Sequence, residues 1–481
     1  LRSGDIFAAF YVQQLNMVTH EGDSKASLNG DKLRVDGDNS TASRDFAAIS
    51  EDASVKHGDV STANGGVPIT NEGLHNRTGD APASSENMSA VKDLGKEPVS
   101  CDVVVVGAGF SGVSAMYKLR KLGMSVKTFE AGSDFGGVWY WNRYPGARVD
   151  SEFPFYQLNI PEVWRTWNFA ERFPGHEELR RYFEHIDKTL GLRKDIEFNA
   201  RVVDASYDSE KARWTVKTSS GSCAVSKYLI LATGLLHRTH TPDFPGLNEY
   251  KGELYHSGCW PEDVEVKGKN VALIGAGATA VQITQEIGKQ ADHLTVFLRR
   301  PSMCLPMGQR PLSELENLGM KSFLPGLFDA GRQSRAGFPS GGPPCGVFDV
   351  TKEERETWFE ELWSRGAFSF QICNYNDVIL DKKANREVYD FWAKKIRARI
   401  SDPVKRDIMA PLEPPFFFGT KRNPLENGYY EVLDQPNVEI VDLNQTPLKT
   451  FRPTGMLMAD DKLREFDMVV LATGFDSFTG S

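Results

Sequence analysis

The sequence predicts an α/β fold, and three observations carry that prediction. Two glycine-rich turns, Gly107-Ala108-Gly109-Phe110-Ser111-Gly112 and Gly275-Ala276-Gly277-Ala278-Thr279-Ala280, each follow a short aliphatic run. Each turn also precedes a stretch of helical periodicity. Two further apolar runs, 228–231 and 468–471, lead into Ala-Thr-Gly at Ala232 and Ala472. A strand that ends on a glycine turn and feeds a helix opens a dinucleotide-binding βαβ unit. Two Rossmann-like domains are therefore expected, with a partly helical insertion and a disordered N-terminal extension.

Composition bounds the function. With 481 residues, 40% hydrophobic and 25% charged, the chain has room for two or three domains with real cores. A formal net charge of −9 leaves no basic surplus for neutralising nucleic-acid phosphates, which argues against a nucleic-acid binder while leaving room for a local basic pocket for one phosphorylated cofactor. Six cysteines are scattered without a CxxC pair, which points to reduced thiols and away from dithiol chemistry. No residue cluster calls for a metal. No apolar run reaches the roughly 18 to 20 residues that span a bilayer, and no signal peptide is recognisable, so a cytoplasmic protein is expected. The chain begins at Leu1 rather than at a methionine.

Residues 1–100 are rich in Ser, Asp, Asn, Gly and Ala, and nearly free of aromatics after Tyr11. Such a segment buries too little apolar surface to offset its conformational entropy, which predicts disorder. Order is expected from Cys101. Residues 103–106 read as a buried parallel strand, followed by the first glycine turn and a helix with Val113, Met116, Leu119 and Leu122 on one face. Gly123 stops that helix, and the next strand, 126–129, ends at Glu130. Gly107, Gly109 and Gly112 would let the backbone approach a pyrophosphate at the helix N-terminus, while Glu130 would take a ribose hydroxyl. A plain tight turn in an ordinary α/β unit is the competing reading.

Phe135-Gly136-Gly137-Val138-Trp139 pairs two glycines with aromatics, a pattern that suits either close packing against a flat ring or a glycine turn with core aromatics. The segment that follows carries Tyr144, Pro145, Gly146, Arg148 and Asp150. Leu179, Tyr182, Phe183 and Ile186 share a helical face. Residues 195–206 and 214–217 read as strands of a small antiparallel piece, and 228–231 as a buried strand. The stretch 250–261, Tyr250 to Pro261, joins the two units and holds Gly252, His256 and Trp260 four residues apart. Taken alone, such residues are packing groups more often than catalysts.

In the second unit, the glycines Gly275 and Gly277 with Thr279 lead into a helix over 279–287 and a strand over 294–298. That strand ends on Arg299 and Arg300 instead of an acid. A carboxylate there would repel a 2′-phosphate, whereas arginine accepts one, which favours NADP over NAD. Solvated surface charge is the alternative. Residues 302–415 read as a partly helical insertion, with helices over 353–363 and 386–400 and a Gly/Pro/Ser-rich loop over 323–346. Phe418-Gly419-Thr420-Lys421-Arg422 follows, then a strand over 438–441 and the second Ala-Thr-Gly run.

Two fingerprints with different ribose ends and two Ala-Thr-Gly strands describe a two-dinucleotide flavoprotein. At this point the chain resembles the type I Baeyer–Villiger monooxygenases. Their fingerprint FxGxxxHxxxWP is matched by Gly252, His256, Trp260 and Pro261, with Tyr250 in place of Phe. A longer signature is matched by Gly137, Trp139, Tyr144, Pro145, Gly146 and Asp150, and the segments 418–422 and 472–476 also look like family segments. The resemblance covers 101–481.

It implies FAD in the first unit, NADPH in the second, and a C4a-peroxyflavin that inserts one oxygen atom of O2 next to a ketone carbonyl to give an ester or lactone. The expected partners are thus a small ketone and O2, with neither nucleic acid nor a membrane span. It implies catalytic roles for Arg422 and for Asp150 as the acid that orients it. Lys421 and Arg299 fall where the family holds the NADP 2′-phosphate, while Arg300 stands where the family commonly has threonine. The implied division is a 1–100 extension, a FAD-binding domain at 101–250, an NADP-binding domain at 251–430 with its insertion at about 302–415, and a truncated return to the FAD-binding domain at 431–481. In the family the sequence continues well beyond the final Ala-Thr-Gly. The alternatives are an N- or S-oxygenating flavin monooxygenase and an incomplete, non-catalytic fragment.

Overall fold

The computed structural model describes residues 97–334, 337–339 and 341–477. The expected disorder of 1–100 therefore lies outside the described residues up to 96, and the ordered chain starts slightly earlier than expected, in strand β1 (Val99–Val106). β1 runs into the glycine turn and the helix Phe110–Lys121, then β2 (Val126–Phe129). Gly112, Val113, Ala115 and Met116 bury that helix against the sheet. Leu122 departs from the expected apolar face. It caps the helix C-terminus and is 70% exposed.

Four more strands complete the first sheet: β3 (Ile196–Glu197), β4 (Val202–Asp208), β5 (Arg213–Thr218) and β6 (Cys223–Leu231). Their order is β3-β2-β1-β6-β5-β4. β1 pairs in parallel with β2 and β6, while β5 pairs antiparallel with both β4 and β6. The expected antiparallel piece is thus split: β4 and β5 form one end of the first sheet, while β3, at the start of the expected 195–206 strand, pairs in parallel with β2 at the other end. The end of β6 is not buried as expected, since Tyr228 is 47% and Leu231 63% exposed. The cause is register: β5 reaches only as far as Ser226, so beyond it β6 pairs with β1 alone.

The second sheet holds β7 (Glu253–His256), β8 (Asn270–Ile274) and β9 (His293–Leu298). Two tiny strands, β10 (Leu305–Pro306) and β11 (Leu425–Glu426), pair with each other at the base of the insertion. β12 (Val438–Asp442) returns to the second sheet, β13 (Leu448–Arg452), β14 (Gly455–Met458) and β15 (Leu463–Glu465) form a separate antiparallel meander, and β16 (Met468–Leu471) closes the sheet. The second sheet runs β12-β9-β8-β16-β7, all parallel.

This order corrects the expected division. The strands of 431–481 do not return to the first sheet. β12 extends the second sheet beyond β9, and β16 slots between β8 and β7. Only after Gly474 does the chain turn back, where Asp476 N donates to Arg238 O and His240 N donates to Gly474 O. A parallel strand can enter a sheet between two earlier strands, and hydrophobic runs alone do not reveal where.

In the insertion, Lys352–Arg365 is helical and opened by a reciprocal Thr351/Glu354 cap, and Lys382–Arg397 is capped by Asp381. Part of the expected 323–346 loop is instead the helix Leu324–Gln333, because Pro325 sits in its first turn, where the missing N–H costs nothing. A single large core packs the first unit's helices, the insertion and the second unit's inner face together. Among the described residues no helix is long and apolar enough to cross a membrane.

Candidate functional site

The two glycine turns are built alike. A Cβ on Gly107 (φ +105°) would lie 2.5 Å from the carbonyl oxygen of Ala232, and one on Gly275 (φ +144°) 2.4 Å from that of Ala472. Each Ala-Thr-Gly run thus lies hard against the first glycine of one fingerprint. Ala232 N donates to Val106 O, and Ala472 N donates to Ile274 O, which extends each parallel pairing by one residue. The helices that follow, Phe110–Lys121 and Ala278–Ile287, have glycine N-caps without side-chain caps. Their first amides are left to solvent or to an anion.

Glu130 is 5% exposed, and its carboxylate accepts from Ala108 N at 2.6 Å and from Gly132 N at 2.7 Å. The end of β2 is thereby tied to the first glycine turn. Gly137 (φ +54°) sits directly against that turn, since its Cβ would lie 2.9 Å from Gly109 Cα. Trp139 follows, and its indole N–H donates to Tyr156 Oη at 2.9 Å. Tyr156 in turn meets the Phe110 ring edge-on at 5.4 Å. Burial raises the Tyr156 phenol well above its ordinary range; nearby Asp150 pushes it the same way and nearby Arg422 opposes it.

Asp150 and Arg422, from distant parts of the sequence, form an ion pair. The pair is partly exposed, 33% for Arg422 and 23% for Asp150, so its charges stay accessible. The Arg422 guanidinium also lies over the Phe368 ring, 5.2 Å from its centroid. The loop that carries Lys421 and Arg422 is anchored on both sides. Asn385 accepts from Phe418 N and donates to Phe418 O, both at 2.9 Å, and Asn423 donates to Met303 O at 2.6 Å. Lys421 Nζ rests over the Phe416 ring at 4.8 Å.

Tyr144 joins the two units. Its buried hydroxyl donates to Gln282 Oε1 at 2.8 Å and receives a longer contact, 3.5 Å, from Thr279 Oγ1 in the first turn of the second unit's helix. Gln282 Nε2 donates back to Arg148 O at 3.1 Å. Burial pushes the Tyr144 phenol up to about 12, so it stays neutral. Gly146 completes the fit, because a Cβ there would lie 2.8 Å from Gln282 O.

Arg299 and Arg300 follow β9 and line a cavity of about 620 Å3 with Pro301, Asp442 and Asn444. Asn444 donates to Arg299 O, holding the turn in place. Among the described contacts, none brings Lys421 to Arg299.

The joining stretch forms β7 and the edge of the second sheet. Gly252 is required because a Cβ would sit 2.2 Å from Tyr250 Oη, which donates to Phe466 O at 2.8 Å. His256 is buried. Its Nδ1 accepts from Gly258 N at 3.0 Å, which leaves the proton on Nε2, 3.4 Å from Thr473 Oγ1. Thr473 Oγ1 in turn donates a hydrogen bond to His240 O. Desolvation lowers the His256 pKa, so the ring is neutral near pH 7. Trp260 packs against the Tyr255 ring at 5.7 Å. His256 and Trp260 are thus held by hydrogen bonds and ring contacts at the edge of the second sheet.

Sequence reasoning did not single out Phe368, Tyr156, Gln282 or Asn385. Only Asn385 carried a signal, as an amide on the apolar face of a helix that buries Ala384, Val388, Tyr389, Trp392 and Ile396.

Comparisons with known proteins identify relatives of this chain. The family described as flavin-binding monooxygenase-like matches residues 100–307. The FAD-binding monooxygenase acrE of Aspergillus aculeatus is 44% identical over 387 residues, covering 80% of this chain and 65% of that protein. Cyclopentanone 1,2-monooxygenase of a Comamonas species is 42% identical, covering 79% of this chain and 69% of its own length. A solved cyclohexanone monooxygenase from a Rhodococcus species, bound to NADP+, superposes with a TM-score of 0.76 at 34% identity over 79% of this chain and 72% of that one. The chain spans about two thirds of these curated relatives.

Proposed function

Because the chain belongs to the flavin-binding monooxygenase-like family, among its Baeyer–Villiger monooxygenases, we propose that it is an FAD- and NADPH-dependent enzyme that inserts one oxygen atom of O2 beside a ketone carbonyl, giving an ester or lactone. The observation that carries this reading is the pairing of Arg422 with Asp150 beside the first nucleotide unit.

Both cofactors fit the residues present. For FAD, the uncapped helix after Gly109 suits a pyrophosphate, and the Gly109–Gly137 contact leaves a cradle that any side chain would fill. A carboxylate has about four acceptor directions, and Glu130 uses two on backbone amides, so two are left for ribose hydroxyls. For NADPH, the uncapped Gly277 turn with Thr279 suits the second pyrophosphate, and Arg299, which lines the cavity after β9, would hold the 2′-phosphate. When bound, NADPH supplies the hydride and reduced FAD activates O2.

The chain's own part is electrostatic. Negative charge grows on the ketone oxygen as its carbonyl is attacked, and a fixed cation lowers the cost of that charge. Arg422 provides the cation. A guanidinium has five N–H donors. Asp150 engages one end of it, so donors remain for the substrate oxygen, and its carboxylate keeps the group from swinging out to solvent. Tyr144 and Gln282 hold the second unit's helix in register with the first unit, so that donor and acceptor cofactors meet. His256 and Trp260 lie in the stretch that joins the two units and serve to link them.

The test is Arg422→Ala. It should bind FAD normally yet lose ester formation about a hundredfold, the scale of a removed oxyanion donor. Near-normal ester yield would reject the role.

A further inference from the structure

We propose that Phe368 is a positioning residue for Arg422: the ring face and the Asp150 carboxylate together fix the guanidinium in one orientation. The inference deepens the proposed oxygenation and rests on Arg422 acting there.

The local backbone is the first argument. Phe368 follows Gly366 (φ +69°) and Ala367 (φ +55°), two consecutive residues with positive φ. Alanine rarely adopts that conformation, and a buried one does so only where its surroundings impose it. The surroundings are specific. Ala367 N donates to Met307 O at 3.1 Å, and a Cβ on Gly366 would lie 2.9 Å from the same oxygen. The turn is thereby pinned to the segment just after β10. It reverses the chain into the short helix Ser369–Ile372, with Phe368 at the helix entry. Its carbonyl accepts from Gln371 N and Ile372 N, both at 2.9 Å, which stiffens the position further.

The ring is the second argument. Phe368 is 8% exposed, and the Arg422 guanidinium carbon lies 5.2 Å from its centroid, within reach of the attraction between a cation and a ring's negative face. Asp150 fixes Arg422 from the carboxylate side, but one ion pair leaves the guanidinium plane free to tilt. A flat apolar ring restrains that tilt without consuming an N–H donor. The donors therefore stay available for a substrate oxygen, which a second carboxylate would not allow. An ordinary core phenylalanine would need neither the strained turn nor a cation above it.

The test separates positioning from packing. In the purified, cofactor-free chain, phenylglyoxal labelling of Arg422 is followed by peptide mass spectrometry. Phe368→Leu should raise the labelling rate about two- to fivefold, the range expected for losing an exposed cation–ring contact. Phe368→Tyr, which keeps the ring, should label at the parent rate. In turnover with NADPH and cyclopentanone, Phe368→Leu should lower kcat with the KM for NADPH unchanged, and Phe368→Tyr should restore it. Unchanged labelling in Phe368→Leu, or equal increases in both variants, overturns the proposal. If Phe368→Leu does not fold, Phe368→Met is read in its place. The labelling result stands whether or not Arg422→Ala abolishes ester formation, so failure of the functional reading and failure of this one are told apart.

Discussion

Replacing Tyr144 by phenylalanine removes one hydroxyl from the seam between the two dinucleotide units. That hydroxyl is buried, donates to Gln282 Oε1 at 2.8 Å, and stays neutral because burial raises its pKa to about 12. Its loss removes one hydrogen bond and leaves the Gln282 oxygen without a donor in a site where Gln282 itself is buried. The first effect costs about 1 kcal/mol and the second about 1–3 kcal/mol, so a net loss of about 2 kcal/mol is expected. Scanning calorimetry should show a fall in Tm of roughly 1–2 °C per kcal/mol for a folded unit of this size. The decisive control is a double-mutant cycle with Gln282→Leu. Once the acceptor is gone, the phenol has nothing to donate to, so Tyr144→Phe should cost at least about 1 kcal/mol less in that background. Equal costs in the two backgrounds would refute the reasoning, because the hydroxyl would then act through something other than Gln282.

Two further outcomes follow from the site. Arg299→Ala should raise the KM for NADPH far more than that for NADH, because only the former carries a 2′-phosphate; equal effects in steady-state kinetics would remove Arg299 from that role. His256 is buried neutral, with its pKa lowered by desolvation from an ordinary value near 6.5. Its contribution to stability is therefore complete above that value and is lost as the pH falls toward the folded-state pKa, since the unfolded chain takes up the proton first. The stability gap between the parent chain and His256→Gln should narrow from pH 8 to pH 5 in urea titrations. A gap independent of pH would show that the ring is not held neutral.

Much of the fold was legible because its signals are local. Gly107 and Gly275 announce their turns since a side chain at either would strike a neighbouring carbonyl, and the runs before them are continuous apolar strands. The site pair Asp150 and Arg422 was reached through resemblance, not through spacing, because nothing local links two such distant residues. What stayed hidden is what depends on three-dimensional order. β16 reads as one more apolar strand, and its place between β8 and β7 is a crossover that its residues do not encode. The β13–β15 meander escaped notice because its strands are short and mix polar with apolar residues. The helix Leu324–Gln333 was misread because its proline and glycines resemble a loop when their positions in the helix are unknown. Phe368 looked like any core aromatic, since only the fold places a guanidinium on its face.

The central claim is oxygen insertion into a ketone by Arg422-assisted chemistry on two bound cofactors. It is tested most directly by incubating the purified chain, supplied with FAD and NADPH, with cyclopentanone under 18O2 and analysing the product by mass spectrometry. The account predicts a lactone carrying one 18O atom, formed with NADPH consumption and absent from the Arg422→Ala protein. Unaltered ketone, with or without NADPH oxidation, would contradict it.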